Sequence, residues 1–141
     1  ITEEQVIAAA KEIGVHDFIS SLPEGYHYNV KERGAMLSSG QRQLIAFLRA
    51  FMSGPSILIL DEATSSVDSY SEELIQNATD RITKGRTSIV IAHRLATIQK
   101  ADQIMVMEAG KIVEVGTHKS LIKKASGHYK SLYEVQFALK E

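Results

Sequence analysis

The sequence contains no cysteine. Disulfides and zinc–thiolate sites are therefore excluded, which fits a reducing compartment. Neither sign of charge is in excess: 16 Lys and Arg face 17 Asp and Glu, for a formal net charge of -1. There is accordingly no electrostatic case for nucleic acid or an anionic membrane as the main partner. No apolar run reaches the length of a membrane span, and the N-terminal residues lack the pattern of a signal peptide. No internal repeat or low-complexity stretch is present. What remains is 141 residues, 44% hydrophobic and 23% charged. That is the composition of a soluble globular domain, and the length allows a real core.

Within it, residues 37–41 (Leu-Ser-Ser-Gly-Gln) organise the chain. They precede a helical run over residues 42–52, in which Leu44, Ile45, Phe47, Leu48, Phe51 and Met52 recur at helical spacing and make one buried stripe. Ser38 or Ser39 can cap that helix, and Gly40 lets a ligand approach the backbone. A helix start with hydroxyls and no acid in its first turn can hold an anion. The plainer alternative is an ordinary N-cap.

Around this stretch the pattern is mixed. Thr2 to Gln5 forms a capping box that opens a helix to about Ile13, ended by Gly14. Asp17 starts a short helix to about Leu22, and Pro23-Glu24-Gly25 breaks it. Ser53-Gly54-Pro55 stops the central helix. Residues 56–60 then read as a buried parallel strand, and residues 87–92 as a second. Between them a capping box at residues 69–72 opens a helix with Leu74, Ile75, Ala78 and Ile82 on one face. A short helix over 95–99 precedes a strand over 103–107. Ala109-Gly110 turns the chain into an antiparallel strand over 111–115. Thr117 caps a helix to about Lys124, and a final helix packs an apolar stripe of Tyr129, Leu132, Tyr133 and Phe137. Strands alternating with helices imply an α/β fold with a mostly parallel sheet, entered from a helical portion.

In such sheets ligands bind beyond the carboxyl ends of the strands. Asp61 and Glu62 follow the strand of residues 57–60, and His93 follows residues 89–92. A strand-end carboxylate can hold Mg²⁺ through water, and a second one beside it can polarise an attacking water. A neighbouring histidine can contact a transferring phosphoryl group. Taken singly, the carboxylates could instead cap the next turn, and His93 could serve loop backbone. Together they point to one site. His16, His27, His118 and His128 stand at helix ends or loops without a second ligand at metal spacing, and are expected in surface or capping roles.

The order and spacing of four motifs resemble the ATP-binding cassette (ABC) ATPase family: LSSGQ at 37–41, ILILDE at 57–62, SSVD at 65–68 and AHRL at 92–95. They match its signature, Walker B strand, D-loop and switch histidine. Glu32-Arg33-Gly34 resembles the X-loop of exporters, and the likeness extends over essentially the whole chain. It implies the C-terminal part of a P-loop, RecA-like ATPase domain. Residues 1–54 would be the helical signature subdomain, and residues 55–141 the later core with Walker B, D-loop, switch histidine and terminal helices. It further implies that Asp61 contributes to the Mg²⁺ site, that Glu62 is the general base for ATP hydrolysis, and that His93 contacts the γ-phosphate. Ser38, Ser39, Gly40 and Gln41 would complete the nucleotide site of an opposing cassette. Asp68 would act at that dimer interface, and Glu32 would face the transmembrane domains of the exporter. The place implied is the cytoplasmic face of the cell membrane, with no direct insertion by this segment and no nucleic-acid partner.

The chain holds no G-x-x-x-x-G-K-[ST] phosphate loop, which in the family lies upstream of the matching region. Without it Mg²⁺-ATP has few contacts here, so these residues alone are expected to be inactive. An uncovered sheet edge is expected to promote self-association. Lys31 stands where glycine is usual, and Leu44 where arginine often follows Gln43. Two alternatives remain: a soluble cassette ATPase of DNA repair or chromosome maintenance, and an inert interaction fragment. The lack of any heptad run speaks against the former.

Overall fold

Thr2 sets the first helix by an exchange of hydrogen bonds. Its backbone N–H donates to Gln5 Oε1 at 2.8 Å, while Gln5 N–H donates to Thr2 Oγ1 at 3.3 Å. The helix that follows, α1 (Glu3–Ile13), stops at Gly14, whose φ of 81° is left-handed. The computed structural model describes residues 1–61 and 69–136. After α1 come α2 (His16–Ser20), single-turn 3-10 segments at Gly25–His27 and Glu32–Gly34, α3 (Ser39–Met52), β1 (Ile57–Asp61), α4 (Ser69–Thr83) and β2 (Thr87–Ile91). Then follow α5 (Leu95–Lys100), β3 (Ile104–Glu108), β4 (Lys111–Gly116), α6 (His118–Leu121) and α7 (His128–Gln136). The chain divides into two compact units, Ile1–Ile91 and Ala92–Glu141.

In the first unit α1, α3 and α4 pack on one another and share one core with the strands. The α3 stripe lands as its spacing requires: Leu44, Phe47 and Leu48 are buried, with Ile45, Phe51 and Met52 packed at the margin. Ile75, Ala78 and Ile82 of α4 are fully buried against them. Arg81 of α4 donates to Glu12 O at 2.9 Å, satisfying a carbonyl that the end of α1 leaves open. β1 and β2 pair parallel in register, from Ile57 opposite Thr87 to Asp61 opposite Ile91. Leu58, Leu60 and Val90 point into the core.

Burial on both faces of these strands, expected from their continuous apolar runs, is not what the structure has. Ile57 and Ile59 are 62% and 68% exposed, and Ile89 and Ile91 about half exposed. Among the described residues of the first unit the helices cover one face, and side chains two residues apart share a face.

The second unit is built on the antiparallel pair β3–β4, joined by Ala109-Gly110. Both loop residues have positive φ (46° and 75°), as a type I′ turn requires. A bulge interrupts the register between Val106 and Met107. Val106, Leu121 and Tyr129 form the small core, with Ile98, Ile104 and Ile122 at its margin. The other face carries exposed Met105, Met107, Ile112 and Val115. Helix α6 is shorter than the sequence suggests: it ends at Leu121, and the chain turns so that Lys124 and Tyr129 reach Glu114 on β4. Of the apolar stripe expected on α7, Tyr129 is buried but Leu132 is 48% exposed. Phe137 lies outside the described residues.

Candidate functional site

The best-defined candidate is the start of α3. Ser38 is its N-cap: Gln41 N–H donates to Ser38 Oγ at 3.2 Å, and Ser38 N–H donates to Gln41 Oε1 at 3.0 Å. This reciprocal box fixes the first turn and both side chains. Ser38 is exposed, Ser39 and Gln41 half-buried, and Gly40 buried. No acidic residue stands in the first turn. First-turn N–H groups have no acceptor within the helix, so this end carries partial positive charge and suits an anion. The ordinary cap and the expected anion site are therefore compatible, since the hydroxyl that caps is also at the exposed end.

Immediately before it, the chain runs through a strained turn. Lys31 has φ 61° and ψ -176°, a region essentially reserved for glycine. Arg33 has φ 55° and Gly34 φ 70°. Glu32 lies between the two left-handed cationic residues, and all three side chains are exposed. Arg42, which the sequence gives no special reason to single out, ties this turn to α3: its Nη1 donates to Leu37 O at 2.6 Å.

The strand-end residues come next. β1 ends at Asp61, whose carboxylate is exposed, and the register sets it level with Ile91 at the end of β2. The carboxyl ends of the two parallel strands are thus side by side, where α/β sheets bind ligands. His93 follows two residues after β2, exposed, at the start of the second unit. Glu62 and Asp68 lie outside the described residues.

The other histidines are engaged locally. His16 Nδ1 is 2.9 Å from Tyr26 Oη, with the rings stacked, and His118 Nδ1 is 2.7 Å from Tyr129 Oη. His27 sits 3.3 Å from Glu3, and His128 3.6 Å from Glu108. Burial pushes the Tyr26 and Tyr129 phenols up, with the charge of Asp17 and the neighbouring Tyr133 adding to it. Glu114 is held below the usual carboxylate range. The main cause is the N–H of Tyr129, donated to it at 2.8 Å, with Lys124 and His128 assisting.

A serine-capped, acid-free helix start and a carboxylate at the end of a parallel strand are consistent with one class, part of a nucleotide-binding α/β domain. The family model described as "ABC transporter" matches residues 2–65. Multidrug resistance protein 3 of Entamoeba histolytica is 55% identical over 137 residues, 97% of this chain and 10% of that protein. A putative multidrug export ATP-binding/permease protein of Staphylococcus aureus is 53% identical over 135 residues, 96% of this chain and 23% of that protein. The solved structure of a bacterial Atm1-family ABC exporter with ATP bound matches with a TM-score of 0.81 at 39% identity, covering 96% of this chain and 24% of that one. The chain belongs to the ABC transporter family and corresponds to part of the nucleotide-binding domain of its exporters. It spans between a tenth and a quarter of the length of these relatives.

Proposed function

We propose that this segment supplies the signature helix and the strand-end groups of an ATP-hydrolysing domain that drives export across a membrane. The observation that carries the reading is the start of α3, where exposed Ser38, buried Gly40 and an acid-free first turn offer a phosphate-sized anion a place to bind. The names of relatives, which speak of ATP binding and multidrug export, support it. Ser38, Ser39, Gly40 and Gln41 meet the γ-phosphate of an ATP held chiefly by a second cassette. A head-to-tail pair of cassettes, identical or not, closes on the nucleotide through this contact. Asp68 lies at that interface.

The donor chemistry at the strand end fits Mg²⁺, because Asp61 offers an exposed, hard carboxylate oxygen. Asp61 would hold Mg²⁺ through water, and the ion would supply charge neutralisation at the phosphates. Glu62, next in the chain, accepts the proton of the attacking water, and His93 donates a hydrogen bond toward the γ-phosphate. Glu32 presents its carboxylate to the transmembrane domains. In this division of labour residues 1–54 act as the signature subdomain and residues 55–141 as part of the core. The segment works at the cytoplasmic face of the membrane.

Replacing Glu62 with Gln in a transporter polypeptide containing this segment tests the proposal. ATP turnover is expected to fall about a hundredfold or more with ATP binding retained. Unchanged turnover would overturn the assignment. These 141 residues alone, which contain no phosphate loop, are expected to give no turnover.

A further inference from the structure

We infer that Arg42 is a positioning residue that holds the Glu32 turn and the anion-binding start of α3 in one mechanical unit. The inference rests on the roles proposed above for Glu32 and residues 38–41.

One side chain touches both places. At its tip, Arg42 Nη1 donates to the carbonyl of Leu37 at 2.6 Å. Along its stem, Cγ and Cδ lie against Gly34, so closely that a Cβ on Gly34 would stand 3.2 and 3.1 Å from them. Gly34 therefore answers two demands, a φ of +70° and room for this stem.

The Leu37 carbonyl is no incidental acceptor. The same peptide unit carries the N–H of Ser38, which donates to Gln41 Oε1 at 3.0 Å. Arg42 fixes one side of that peptide and Gln41 the other, so Ser38 cannot rotate without breaking one of the two bonds. On the upstream side the turn is closed on itself. Gly34 N–H donates to Lys31 O, Met36 N–H to Val30 O and Leu37 N–H to Gly34 O, at 3.2, 3.2 and 2.9 Å. Buried Leu37 anchors the junction. A displacement of the Glu32 turn thus reaches the Leu37–Ser38 peptide by two routes, the short chain and the Arg42 side chain. Only the second depends on the stem and the donor of this side chain. Adjacency alone does not establish coupling, so the test has to measure it.

Amide hydrogen exchange, followed residue by residue on the 141-residue chain without nucleotide, gives that measurement. In Arg42→Ala, exchange at Gly34, Met36 and Leu37 and at Ser38 and Gln41 is expected to rise together by about tenfold, with amides of α1 and α4 unchanged. Arg42→Lys keeps a donor and a stem and is expected to restore both groups. Arg42→Met keeps the stem alone, and is expected to release Ser38 and Gln41 while leaving the turn protected. Gly34→Ala pushes on the stem and is expected to loosen Ser38 and Gln41 in the presence of Arg42, but to add nothing in the Arg42→Ala background.

The inference is overturned if Arg42→Ala affects one group only, if it speeds exchange across the whole first unit, or if Gly34→Ala acts on residues 38 and 41 equally with and without Arg42. Because no ATP is involved, failure here leaves the Glu62 assignment standing. Failure of the Glu62 assignment likewise leaves this contact network intact.

Discussion

The two units solve the same packing problem by different means. In the first, three helices packed on one another share a core with one face of a parallel strand pair, and fully buried Ala10, Ile13, Leu44, Ile75, Ala78 and Ile82 make it continuous and apolar. In the second, a hairpin meets short helices over Val106, Leu121 and Tyr129, and polar ties reinforce this small core, among them Glu114 to Tyr129 and Lys124, and His118 to Tyr129. Apolar burial is non-directional and tolerates shifts, whereas hydrogen bonds to a carboxylate fail with small movements or with a proton. The first unit can therefore carry strain at a surface turn. The second depends on a few groups keeping their charge and place.

The sharpest way to break this contrast is Ile75→Ala, which empties a fully buried site in the first unit. A loss of about 3 kcal/mol is expected in urea unfolding. A loss under about 1 kcal/mol would mean that the apolar core is not what holds this unit. Next comes strain. Lys31→Gly relieves a backbone region that only glycine enjoys and is expected to raise stability by about 1 kcal/mol. Ala109→Gly in the hairpin turn, where the left-handed conformation is milder, is expected to give only about half of that. Equal gains would remove the distinction between the two turns. The smallest effect is pH-dependent. The folded-state value of Glu114 is depressed, so its contribution is present above the ordinary carboxylate range and disappears as pH falls through the depressed value. Glu114→Gln is expected to flatten the acid side of the exchange profile of β4 and α7 while leaving the first unit's profile unchanged. A Gln variant as acid-sensitive as the parent would show that Glu114 is not the titrating group.

Much of this was legible in the sequence. The capping box at Thr2 and the caps at Ser38 and Thr117 form where the sequence places them, because a cap depends on residues three apart. Parallel β1–β2 and antiparallel β3–β4 follow from run length and from the Ala109-Gly110 turn. The oddity of Lys31, a lysine where the family favours glycine, was visible before its backbone angles explained it. What could not be seen was which faces of the strands are covered. An unbroken Ile-Leu-Ile-Leu run announces apolar surroundings, yet Ile57 and Ile59 are open, since coverage depends on what packs above the sheet. The end of α6 was also hidden, because Glu114 draws the chain round from another element.

The sequence alone determined the element types, the caps, and the order of LSSGQ, Asp61 and His93 that marks the family, since each rests on chemistry within a few neighbouring residues. Only the tertiary structure decided that Arg42 touches both Gly34 and the Leu37 carbonyl, that Arg81 closes the end of α1, and that Glu114 gathers the second unit. Those contacts join residues from 5 to 69 positions apart, and no local pattern selects such partners until the apolar faces have packed.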